Sequence, residues 1–464
     1  MIKDMNEVFY TLDKVYEKKI LVIGDILMDE YVYGNVKHNS TGIKIPIIEK
    51  ERTEYRLGGA ANVAANIAGL CKNTVLLGRY ANDDAGIRVK QLCREYGIKL
   101  IDCPTERTIV KQRIYVDNQQ ISRLDTNSYS ESVVGILGDI LNNEKPEVII
   151  LSDYLYGVIT QDVIDEVAKY CRTNITHLFV TSRNINQFVF DEIPIVVVNQ
   201  NEWNEYTDNS KIKESFVTLG DKGISYISES ETIDCGTEKK YPINVSGAGD
   251  TVLAVIATFY GELENKKILL KIANIAGELA VEDELTYVLC HFDLVDALYS
   301  RWTEEDSINK ILSTDLAKDI IDSWKGKSEH IVFTNGCYDL LHLGHIKSFQ
   351  YAKKYGEKLI VAVNSDESIR RLKGDGRPIN SLEERACTLA YLSMIDMVVP
   401  FEEDTAVELI KLLKPDVYIK GSEYMHKELP EAEYAKRVEY VPMTEGTSTT
   451  QLINKIVKAV ENNE

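Results

Sequence analysis

The feature that most limits the fold is the repeated alternation of short apolar segments with longer amphipathic ones. Apolar, β-branched segments occur in KKILVIGD, NTVLLGRY, EVIILSDY, HLFVTSR, IPIVVVNQN and FVTLGDKG, and amphipathic stretches such as AANVAANIAGL and AGIRVKQLCREYGI lie between them. Short apolar runs are typical of buried strands, and strands that alternate with helices form parallel sheets covered on both faces. The sequence therefore predicts an α/β protein.

The alternation stops near residue 300 and later starts again. A charged, helical segment, TEEDSINKILSTDLAKDIIDSWKGKSEH, precedes a second series in HIVFTNGCYDLLH, KLIVAVNSD, MVVPFEED, DVYIKGSEY and EYVPM. We expect an N-terminal domain at 1–305, a linker at 306–328 and a smaller α/β domain at 329–464. A further segment, IVKQRIYVDNQQISRLD, alternates in polarity and predicts an antiparallel hairpin, such as a lid at the edge of the first sheet.

The charge balance excludes some classes of ligand. A formal net charge of -20 argues against nonspecific binding to nucleic acid or to a membrane surface, which requires clustered positive charge. The eight cysteines are scattered without a CxxC pair and predict reduced thiols. Because the chain also contains no signal peptide and no membrane-spanning apolar run, we expect a cytoplasmic protein. Anionic ligands must then be bound by helix N-termini, single basic residues or metal ions.

The stretch GCYDLLHLGHIK places His342 and His345 three residues apart, after a predicted strand and a glycine turn. In an open α/β sheet, the first strand-to-helix turn is the usual contact for phosphate. A helix N-terminus attracts anions, and two imidazoles on one helix face could donate to phosphoryl oxygens. The pattern alone leaves open a purely structural pair, or a zinc site that includes Cys337.

The stretch NVSGAGDTVLAV indicates a second phosphate site. Glycines let the backbone approach a phosphate closely, and the amides of Gly247, Ala248 and Gly249 could form an anion hole. Asp250, beside that hole, is suited to take a proton from an attacking hydroxyl. The same letters could instead mark only a tight start of a helix.

The second domain resembles the nucleotidyltransferase superfamily of cytidylyl- and adenylyltransferases, and in particular its heptose-phosphate branch. The likeness covers residues 329–460 and rests on TNGCYD, HLGH, SDESIRRLKGDGRPI and EGTSTTQLI. It implies a Rossmann-like domain in which His342 and His345 stabilise the nucleotide α-phosphate while pyrophosphate leaves. Lys373 would be a third catalytic residue, which neutralises the sugar phosphate or the triphosphate. It further implies substrate contacts at Asp339 and Arg377, and nucleotide contacts at Thr334, Asn335, Lys347, Asn364, Asp366, Ser448 and Thr449.

The first domain resembles the ribokinase-like (PfkB-type) sugar kinases. LVIGDILMDEYVYG, RLGGAANVAANIAGL, FVTLGDKGI and SGAGDT follow one another in that family's order, and TIVKQRIYVDNQQISRLD is similar to its heptose-phosphate branch. The resemblance implies a β lid and makes Asp250 the catalytic base. It assigns the substrate to Asp29, Gly58, Gly59, Asn62, Lys111, Arg113 and Arg123. It assigns the nucleotide to Asn199, Glu202, Thr218, Gly220, Gly223, Gly247, Ala248, Gly249 and Asn274, with Glu202 acting indirectly on Mg²⁺.

Several positions depart from these family patterns. Asn244 stands where an Asp is common, Tyr156 stands where a Lys is usual, and TSRN from residue 181 replaces a DPK-like element. VEDELT, which contains Asp283, poorly matches the segment that lines the nucleotide site, and Glu423 in the second domain replaces an Asp. These departures leave open a degenerate kinase or one with a shifted substrate.

Together the resemblances imply a bifunctional, Mg²⁺-dependent enzyme of ADP-heptose synthesis for surface glycans. It would use ATP to phosphorylate heptose 7-phosphate at O1 and, after a separate phosphatase, transfer AMP from ATP to heptose 1-phosphate with release of pyrophosphate. The alternatives are a nucleotidyltransferase with an inactive kinase domain, a cytidylyltransferase for another sugar or polyol phosphate, and a ligand sensor. The partners expected are small molecules, neither nucleic acid nor membrane, and the kinase resemblance implies a homodimer.

Overall fold

The structure is a computed structural model that describes residues 2–39, 46–117, 119–126, 128–190, 194–206, 212, 214–238, 241–442 and 449–461. The chain forms two compact units. The N-terminal unit contains Glu7–His291, and the C-terminal unit contains Phe292–Glu464 together with Met1–Asn6. Within the described part of the chain, no helix combines the length and apolar character needed to cross a bilayer.

The first 291 residues alternate strands with helices as the sequence predicts. The strands are β1 (Lys19–Gly24), β2 (Ile26–Asn39), β3 (Pro46–Gly59), β4 (Asn73–Leu77), β5 (Lys99–Leu100), β6 (Ile109–Val116), β7 (Gln119–Asp125), β8 (Val148–Asp153), β9 (His177–Ser182), β10 (Ile195–Asn199), β11 (Glu214–Thr218), β12 (Ile224–Ser228) and β13 (Thr232–Cys235). The helices are α1 (Ile2–Tyr16), α2 (Ala60–Ala68), α3 (Asp84–Glu95), α4 (Val134–Glu144), α5 (Gln161–Asn174), α6 (Gln200–Glu205), α7 (Ala248–Phe259) and α8 (Lys266–Glu282).

A nine-stranded sheet forms the centre of the N-terminal unit, in the order β13-β12-β11-β10-β9-β8-β1-β4-β5. Seven neighbouring strands of this sheet, β11, β10, β9, β8, β1, β4 and β5, pair in parallel. Strands β12 and β13 continue the sheet beyond β11 and pair antiparallel. Every residue of β8 and all but the first of β1 are buried, as expected for strands covered on both faces. The predicted parallel sheet is therefore confirmed.

The predicted hairpin belongs to a separate four-stranded sheet with the order β3-β2-β6-β7. Strands β6 and β7 pair antiparallel, with Arg113 opposite Arg123, and β2 pairs in parallel with β6. Strand β7 is an edge strand, and all seven of its residues are exposed. This small sheet is the lid expected from the sequence.

The C-terminal unit has the predicted second α/β series. Its strands are β14 (Ile331–Gly336), β15 (Lys358–Asn364), β16 (Met397–Phe401), β17 (Val417–Gly421) and β18 (Arg437–Val441), and its helices are α9 (His291–Glu305), α10 (Thr314–Gly326), α11 (Leu343–Ala352), α12 (Asp366–Lys373), α13 (Leu382–Ala390), α14 (Val407–Leu413) and α15 (Thr449–Glu461). The five strands are all parallel, in the order β16-β15-β14-β17-β18. The order in which the chain adds strands to the sheet reverses beside β14, and a Rossmann-like fold binds its ligand at such a point.

The segment 306–328, expected to be a linker, packs within the C-terminal unit. A 3₁₀ turn at Ser307–Lys310 leads into α10, whose Ile320, Ile321 and Trp324 are buried. The indole of Trp324 donates to Asp296 Oδ1 at 3.0 Å, which fixes α10 to α9. The reason is the amphipathic pattern of α10, since its apolar side would otherwise be exposed to water.

Candidate active sites

The predicted base of the N-terminal unit lies in the first turn of α7. The preceding Gly247 has φ 83°. A Cβ there would lie 2.7 Å from Asn62 Nδ2, so the chain requires glycine at this place. Asp250 Oδ2 accepts a hydrogen bond from Asn62 Nδ2 at 3.0 Å, and its Oδ1 accepts one from the Tyr154 hydroxyl at 2.8 Å. The carboxylate is thus fixed by α2 on one side and by the segment after β8 on the other.

The surroundings of Asp250 give it the pKa of a base that works near neutral pH. Burial raises its pKa from 3.8 to about 6, although the hydrogen bonds from Asn62 and Tyr154 oppose the rise. A general base is most effective when its pKa lies near the working pH. The amides of Gly247, Ala248 and Gly249 stand at the N-terminus of α7, where backbone N–H groups favour an anion, although that of Ala248 also donates to the carbonyl of Val245 at 3.5 Å.

The predicted sugar-binding residues surround the same carboxylate. Asp29 Oδ1 accepts from Arg113 Nη1 at 2.6 Å, and Asp29 Oδ2 accepts from the Thr286 hydroxyl at 3.3 Å. A Cβ on Gly58 would lie 2.8 Å from Asp29 Oδ2, so the absent side chain makes room for this carboxylate. Lys111 is buried, with 6% of its surface exposed, and its charge lowers the pKa of Asp250 against the effect of burial.

Two other predicted residues have different surroundings. Gly59, at φ 59°, is the N-cap of α2. Arg123 lies on the exposed strand β7 and forms two hydrogen bonds with Asp125, at 2.8 and 2.6 Å. Its guanidinium is therefore already engaged by a carboxylate of its own strand.

The predicted nucleotide side lies at the ends of β10 and β11, where Asn199 pairs in register with Thr218. The side chain of Asn199 caps α6, and Glu202 Oε2 accepts from the backbone N–H of Asn199 at 2.9 Å. Gly220 and Gly223 form the next turn, with φ 64° and 94°. The amide of Asn274 donates to the carbonyl of Cys235 at 2.8 Å and so joins α8 to β13, and its place near the nucleotide stays a prediction.

The positions that depart from the family pattern have defined contacts. The amide of Asn244 accepts from the backbone N–H of Ser246 at 2.9 Å and donates to the carbonyl of Glu284 at 3.1 Å. In VEDELT, the Asp283 carboxylate accepts from Leu285 N at 2.8 Å. The same segment supplies Thr286, whose hydroxyl donates to Asp29, a residue predicted to bind the sugar.

Three residues of this site were not predicted from the sequence. Tyr154 contacts Asp250, and Arg183 lies with its guanidinium carbon 4.9 Å from the centre of the Tyr154 ring. Asp25 accepts from the backbone N–H groups of Tyr154 and Tyr156, at 2.8 and 3.1 Å, and orders that segment. All three directly follow a strand, and the carboxyl ends of β1, β8 and β9 are the signal that could have identified them.

In the C-terminal unit, the two histidines stack at the start of α11. His342 is the N-cap residue, His345 is the third residue of the helix, and the ring centroids are 3.8 Å apart. His345 Nδ1 accepts from the backbone N–H of His342 at 3.4 Å, which leaves the proton of the neutral ring on Nε2. The buried Nδ1 of His342 has no hydrogen-bond partner among the described residues, as occurs where a ligand completes a site.

Both imidazoles are neutral at physiological pH. Burial lowers the pKa of His345 to about 4, and the charge of Lys373, like that of His342 whenever it is protonated, acts in the same direction. Burial also lowers the pKa of His342. A neutral imidazole still offers one N–H donor, so the pair suits hydrogen bonding to phosphoryl oxygens rather than ion pairing with them.

The histidines line a cavity of about 770 Å³ at the carboxyl ends of the strands. It brings together most of the residues predicted for this unit: Thr334, Asn335, Asp339, His342, His345, Asn364, Lys373 and Thr449. Lys347 is exposed on α11, outside the described lining, and Ser448 lies outside the described residues.

Some predicted binding residues organise the cavity wall. Asp339 accepts hydrogen bonds from Arg377 and from the backbone N–H groups of Ile379 and Asn380, at 2.7 and 3.0 Å for the latter two. Burial acts to raise the pKa of Asp339, but these donors outweigh it and the pKa is lowered. Asp339 and its three donors therefore hold the loop after α12 against the end of β14.

Asp366 is engaged in a similar way by Arg385, a residue that the sequence did not single out. Arg385 is 2% exposed. Its guanidinium donates to the carbonyls of Cys337 and Asn364, at 2.7 and 2.8 Å, and to Asp366 Oδ1 at 2.6 Å. It thereby joins the ends of β14 and β15.

Lys420 and Glu431 also line the cavity and were missed. Lys420 Nζ lies 3.8 Å from Glu431 Oε1, and the Tyr418 hydroxyl contacts both Glu431 and Asn335, at 2.9 and 2.8 Å. Burial lowers the pKa of Lys420, and Glu431 counteracts it. The departure Glu423 stands beside Gly421 in the same wall.

The zinc alternative receives no support. No group of three or more His, Cys, Asp or Glu side chains suited to a metal occurs among the described residues. Cys337 is one of eight free cysteines.

Comparison with known families divides the chain in the same way. Residues 17–290 match the pfkB family carbohydrate kinases, and residues 333–455 match the cytidylyltransferase-like family. The N-terminal unit is similar to phosphofructokinase-2 from Escherichia coli, with a TM-score of 0.50 and 13% identity over 60% of this chain and 97% of the other. That likeness supports the ribokinase-like fold alone.

Relatives that share both units are also found. The chain is 32% identical to the bifunctional protein HldE of Sulfurimonas denitrificans, over 96% of this chain and 98% of the relative. It is 35% identical to the bifunctional protein HldE of Helicobacter pylori, over 95% of this chain and 98% of the relative. The similarity therefore spans both candidate sites in one continuous alignment.

Proposed function

The chain belongs to the family of bifunctional HldE proteins, and on that premise we propose which residues carry its two activities. It is a sugar kinase and a nucleotidyltransferase: the N-terminal unit phosphorylates heptose 7-phosphate at O1, and the C-terminal unit transfers AMP from ATP to heptose 1-phosphate. The observation that carries the assignment is the pair of phosphate sites, one built around Asp250 and the other around His342 and His345.

In the kinase unit, Asp250 acts as the general base. It removes the proton from the O1 hydroxyl as that oxygen bonds to the γ-phosphorus, and the bond to the β,γ-bridging oxygen breaks to release ADP. The fixed orientation of the carboxylate between Asn62 and Tyr154 supports this role, since catalysis requires the acceptor oxygen to face the hydroxyl. The amides at the start of α7 receive the phosphate charge.

The remaining groups of the kinase unit orient the two substrates. Asp29 and Arg113 form a buried, charged pair beside Asp250, suited to hydroxyl groups of the sugar. Glu202 fits an indirect role toward Mg²⁺, because only one of its oxygens is used in capping α6. A magnesium ion bound with ATP would neutralise phosphate charge on this side.

In the transferase unit, an oxygen of the sugar 1-phosphate attacks the α-phosphorus of ATP. The new bond forms as the bond to the α,β-bridging oxygen breaks, and pyrophosphate leaves with the electron pair. His342 and His345 donate hydrogen bonds to the α-phosphoryl oxygens, and Lys373 adds positive charge. Thr334, Asn335, Thr449 and Ser448 are proposed to contact the nucleotide phosphates.

We also propose a homodimer that forms through the lid. Strand β7 is an exposed edge strand, and Ile121 and Leu124 on it are 49% and 56% exposed. Exposed apolar edge strands favour pairing with another chain. Sedimentation should give a dimer for the full chain and a monomer for Leu124→Lys.

The test of the two activities uses the full-length chain with Mg-ATP. One reaction contains heptose 7-phosphate and is followed by ADP, and the other contains heptose 1-phosphate and is followed by pyrophosphate. Both products are expected. Pyrophosphate without ADP would contradict the kinase assignment, and ADP without pyrophosphate would contradict the transferase assignment.

A further inference from the structure

Two cations in the kinase site lack the acidic partner that neighbouring basic residues have. Arg113 pairs with Asp29, and Arg123 pairs with Asp125. Lys111 and Arg183 form no hydrogen bond or ion pair through their side chains with any described residue. Lys111 is buried to more than nine tenths, and the carboxylates of Asp29 and Asp125, which raise its pKa from beyond ion-pair distance, do not outweigh the effect of burial. Such a group is costly unless a ligand supplies the opposite charge.

Both cations lie against the same aromatic ring. Lys111 Nζ is 5.0 Å and the Arg183 guanidinium carbon is 4.9 Å from the centre of Tyr154. They are also close enough to affect one another, because burial lowers the pKa of Lys111 and the charge of Arg183 lowers it further. Two like charges held together beside a hydroxyl that contacts Asp250 predict an anion between them.

Arg183 interacts with one residue near the proposed acceptor hydroxyl and with one residue of the element proposed for ATP. On the acceptor side it approaches Tyr154, whose hydroxyl bonds to the base. On the donor side burial raises the pKa of Glu202, and the charge of Arg183 opposes the rise. Glu202 belongs to the element proposed for ATP and Mg²⁺. Arg183 therefore contacts the tyrosine that bonds to the base and lies within electrostatic reach of Glu202.

We propose that Arg183, together with Lys111, binds the phosphoryl group while it passes from ATP to O1 of the sugar. The inference rests on the proposed kinase function. The bond from O1 to the γ-phosphorus forms, the bond to the departing ADP oxygen breaks, and the proton of O1 moves to Asp250. Negative charge is spread over the three equatorial oxygens during this step, and a planar guanidinium can donate to two of them.

This role bears on the departures that remove lysines from the family pattern. Tyr156 stands where the family usually has a lysine, and TSRN replaces a DPK-like element. Arg183 is the third residue of TSRN, at the position of the lysine in DPK. The cationic charge at this strand end is therefore retained as a guanidinium.

The experiment compares Arg183→Ala, Arg183→Lys and the control Arg94→Ala in the full-length chain, with ADP release measured across heptose 7-phosphate concentrations. Arg94 is an exposed arginine in the last turn of α3. We expect Arg183→Ala to lower kcat about 10²-fold while KM for the sugar changes little, since the lost contact is made to the group in transit. Arg183→Lys should recover part of kcat, and Arg94→Ala should match the unaltered chain.

A binding measurement gives a second readout. ADP with aluminium fluoride mimics the phosphoryl group in transit, and it should bind more tightly than ADP alone in the presence of heptose 7-phosphate. Arg183→Ala should lose this gain and keep its affinity for ADP. An unchanged kcat, or a rise confined to KM for heptose 7-phosphate, would overturn the proposal and assign the cations to another contact. A chain that releases no ADP before any substitution would instead refute the kinase function itself.

Discussion

The two units handle phosphate with opposite acid-base chemistry. In the kinase unit, a carboxyl group with a pKa raised to about 6 is fixed by two donors next to a helix N-terminus. In the transferase unit, the corresponding groups are two stacked imidazoles, and the pKa of His345 is lowered to about 4. One site therefore contains a proton acceptor, whereas the other contains neutral hydrogen-bond donors.

The difference follows from the two nucleophiles. A sugar hydroxyl is protonated at neutral pH, so the kinase requires a base. A sugar 1-phosphate already carries negative charge on the attacking oxygen, so the transferase needs only orientation and donors for the charge that develops on the α-phosphate. Burial serves both purposes, because it raises the pKa of a carboxyl group and lowers that of an imidazole.

The largest expected effects test whether the two sites are independent. Asp250→Asn should reduce ADP formation by about 10³-fold and leave pyrophosphate formation unchanged, because the amide cannot accept the proton. His345→Ala should do the reverse, with a loss of about 10²-fold to 10³-fold in pyrophosphate formation. Each variant is measured in both assays, so each activity serves as the control for the other. A loss of both activities in either variant would contradict the separation.

A second prediction concerns how the transferase site is supported. Arg385→Ala should lower the free energy of unfolding of the C-terminal unit by about 3 kcal/mol, since Asp366 and three carbonyls lose a buried partner. Urea unfolding followed by tryptophan fluorescence reports this unit in a Trp203→Phe background, because the other two tryptophans, Trp302 and Trp324, lie in it. ADP formation should be unaffected.

The matched control for Arg385 is Arg370→Ala on α12. Arg370 is exposed, and among the residues that the structure describes its side chain pairs only with Glu367. Its substitution should change the free energy of unfolding by less than about 0.5 kcal/mol. Equal effects of the two substitutions would mean that the buried guanidinium does not support the site.

The pH dependence of the two reactions sharpens the comparison further. Asp250 is active when deprotonated, so kcat/KM for ADP formation should fall as the pH drops below about 6. Tyr154→Phe removes a donor to the carboxylate, raises its pKa and should move this acidic limb upward by about one pH unit. The other charges that act on Asp250, those of Asp29 and Lys111, are unchanged in the variant.

The substrate phosphate also titrates near this pH, but it does so equally in both chains, and the difference between the two profiles reports Asp250. Pyrophosphate formation by Tyr154→Phe should match that of the unaltered chain at every pH. If the acidic limb of the ADP-formation profile lies at the same pH in Tyr154→Phe and in the unaltered chain, Tyr154 does not act on the base.

The smallest expected effect concerns Asn244. Changing it to the family's more common residue, Asn244→Asp, keeps the acceptor for Ser246 but removes the donor to the carbonyl of Glu284. We expect a loss of about 1 kcal/mol, seen as a several-fold higher KM for ATP in the ADP assay. A lower KM for ATP in Asn244→Asp would mean that asparagine at this position weakens ATP binding, and would contradict the prediction.

Much of the fold could be predicted from the sequence, because strands and helices are encoded by local periodicity. The parallel sheets, the lid hairpin and the restart of the α/β pattern all correspond to patterns within about ten to twenty residues. The assignment of residues 306–328 to the C-terminal unit could not be read in this way, since it depends on what α10 packs against.

The residues of the candidate sites were likewise only partly predictable from the sequence. The sequence by itself identified both phosphate motifs, since glycine spacing, the His pair and Asp250 lie in short contiguous stretches. The tertiary structure alone decided that Tyr154 reaches Asp250 across 96 residues and that Arg385 reaches Asp366 across 19. It also turned Asn274 and Asp339 toward protein partners. The physical reason is that a pKa, a hydrogen bond or an unpaired charge depends on which groups meet in space, and that is set by packing between distant segments.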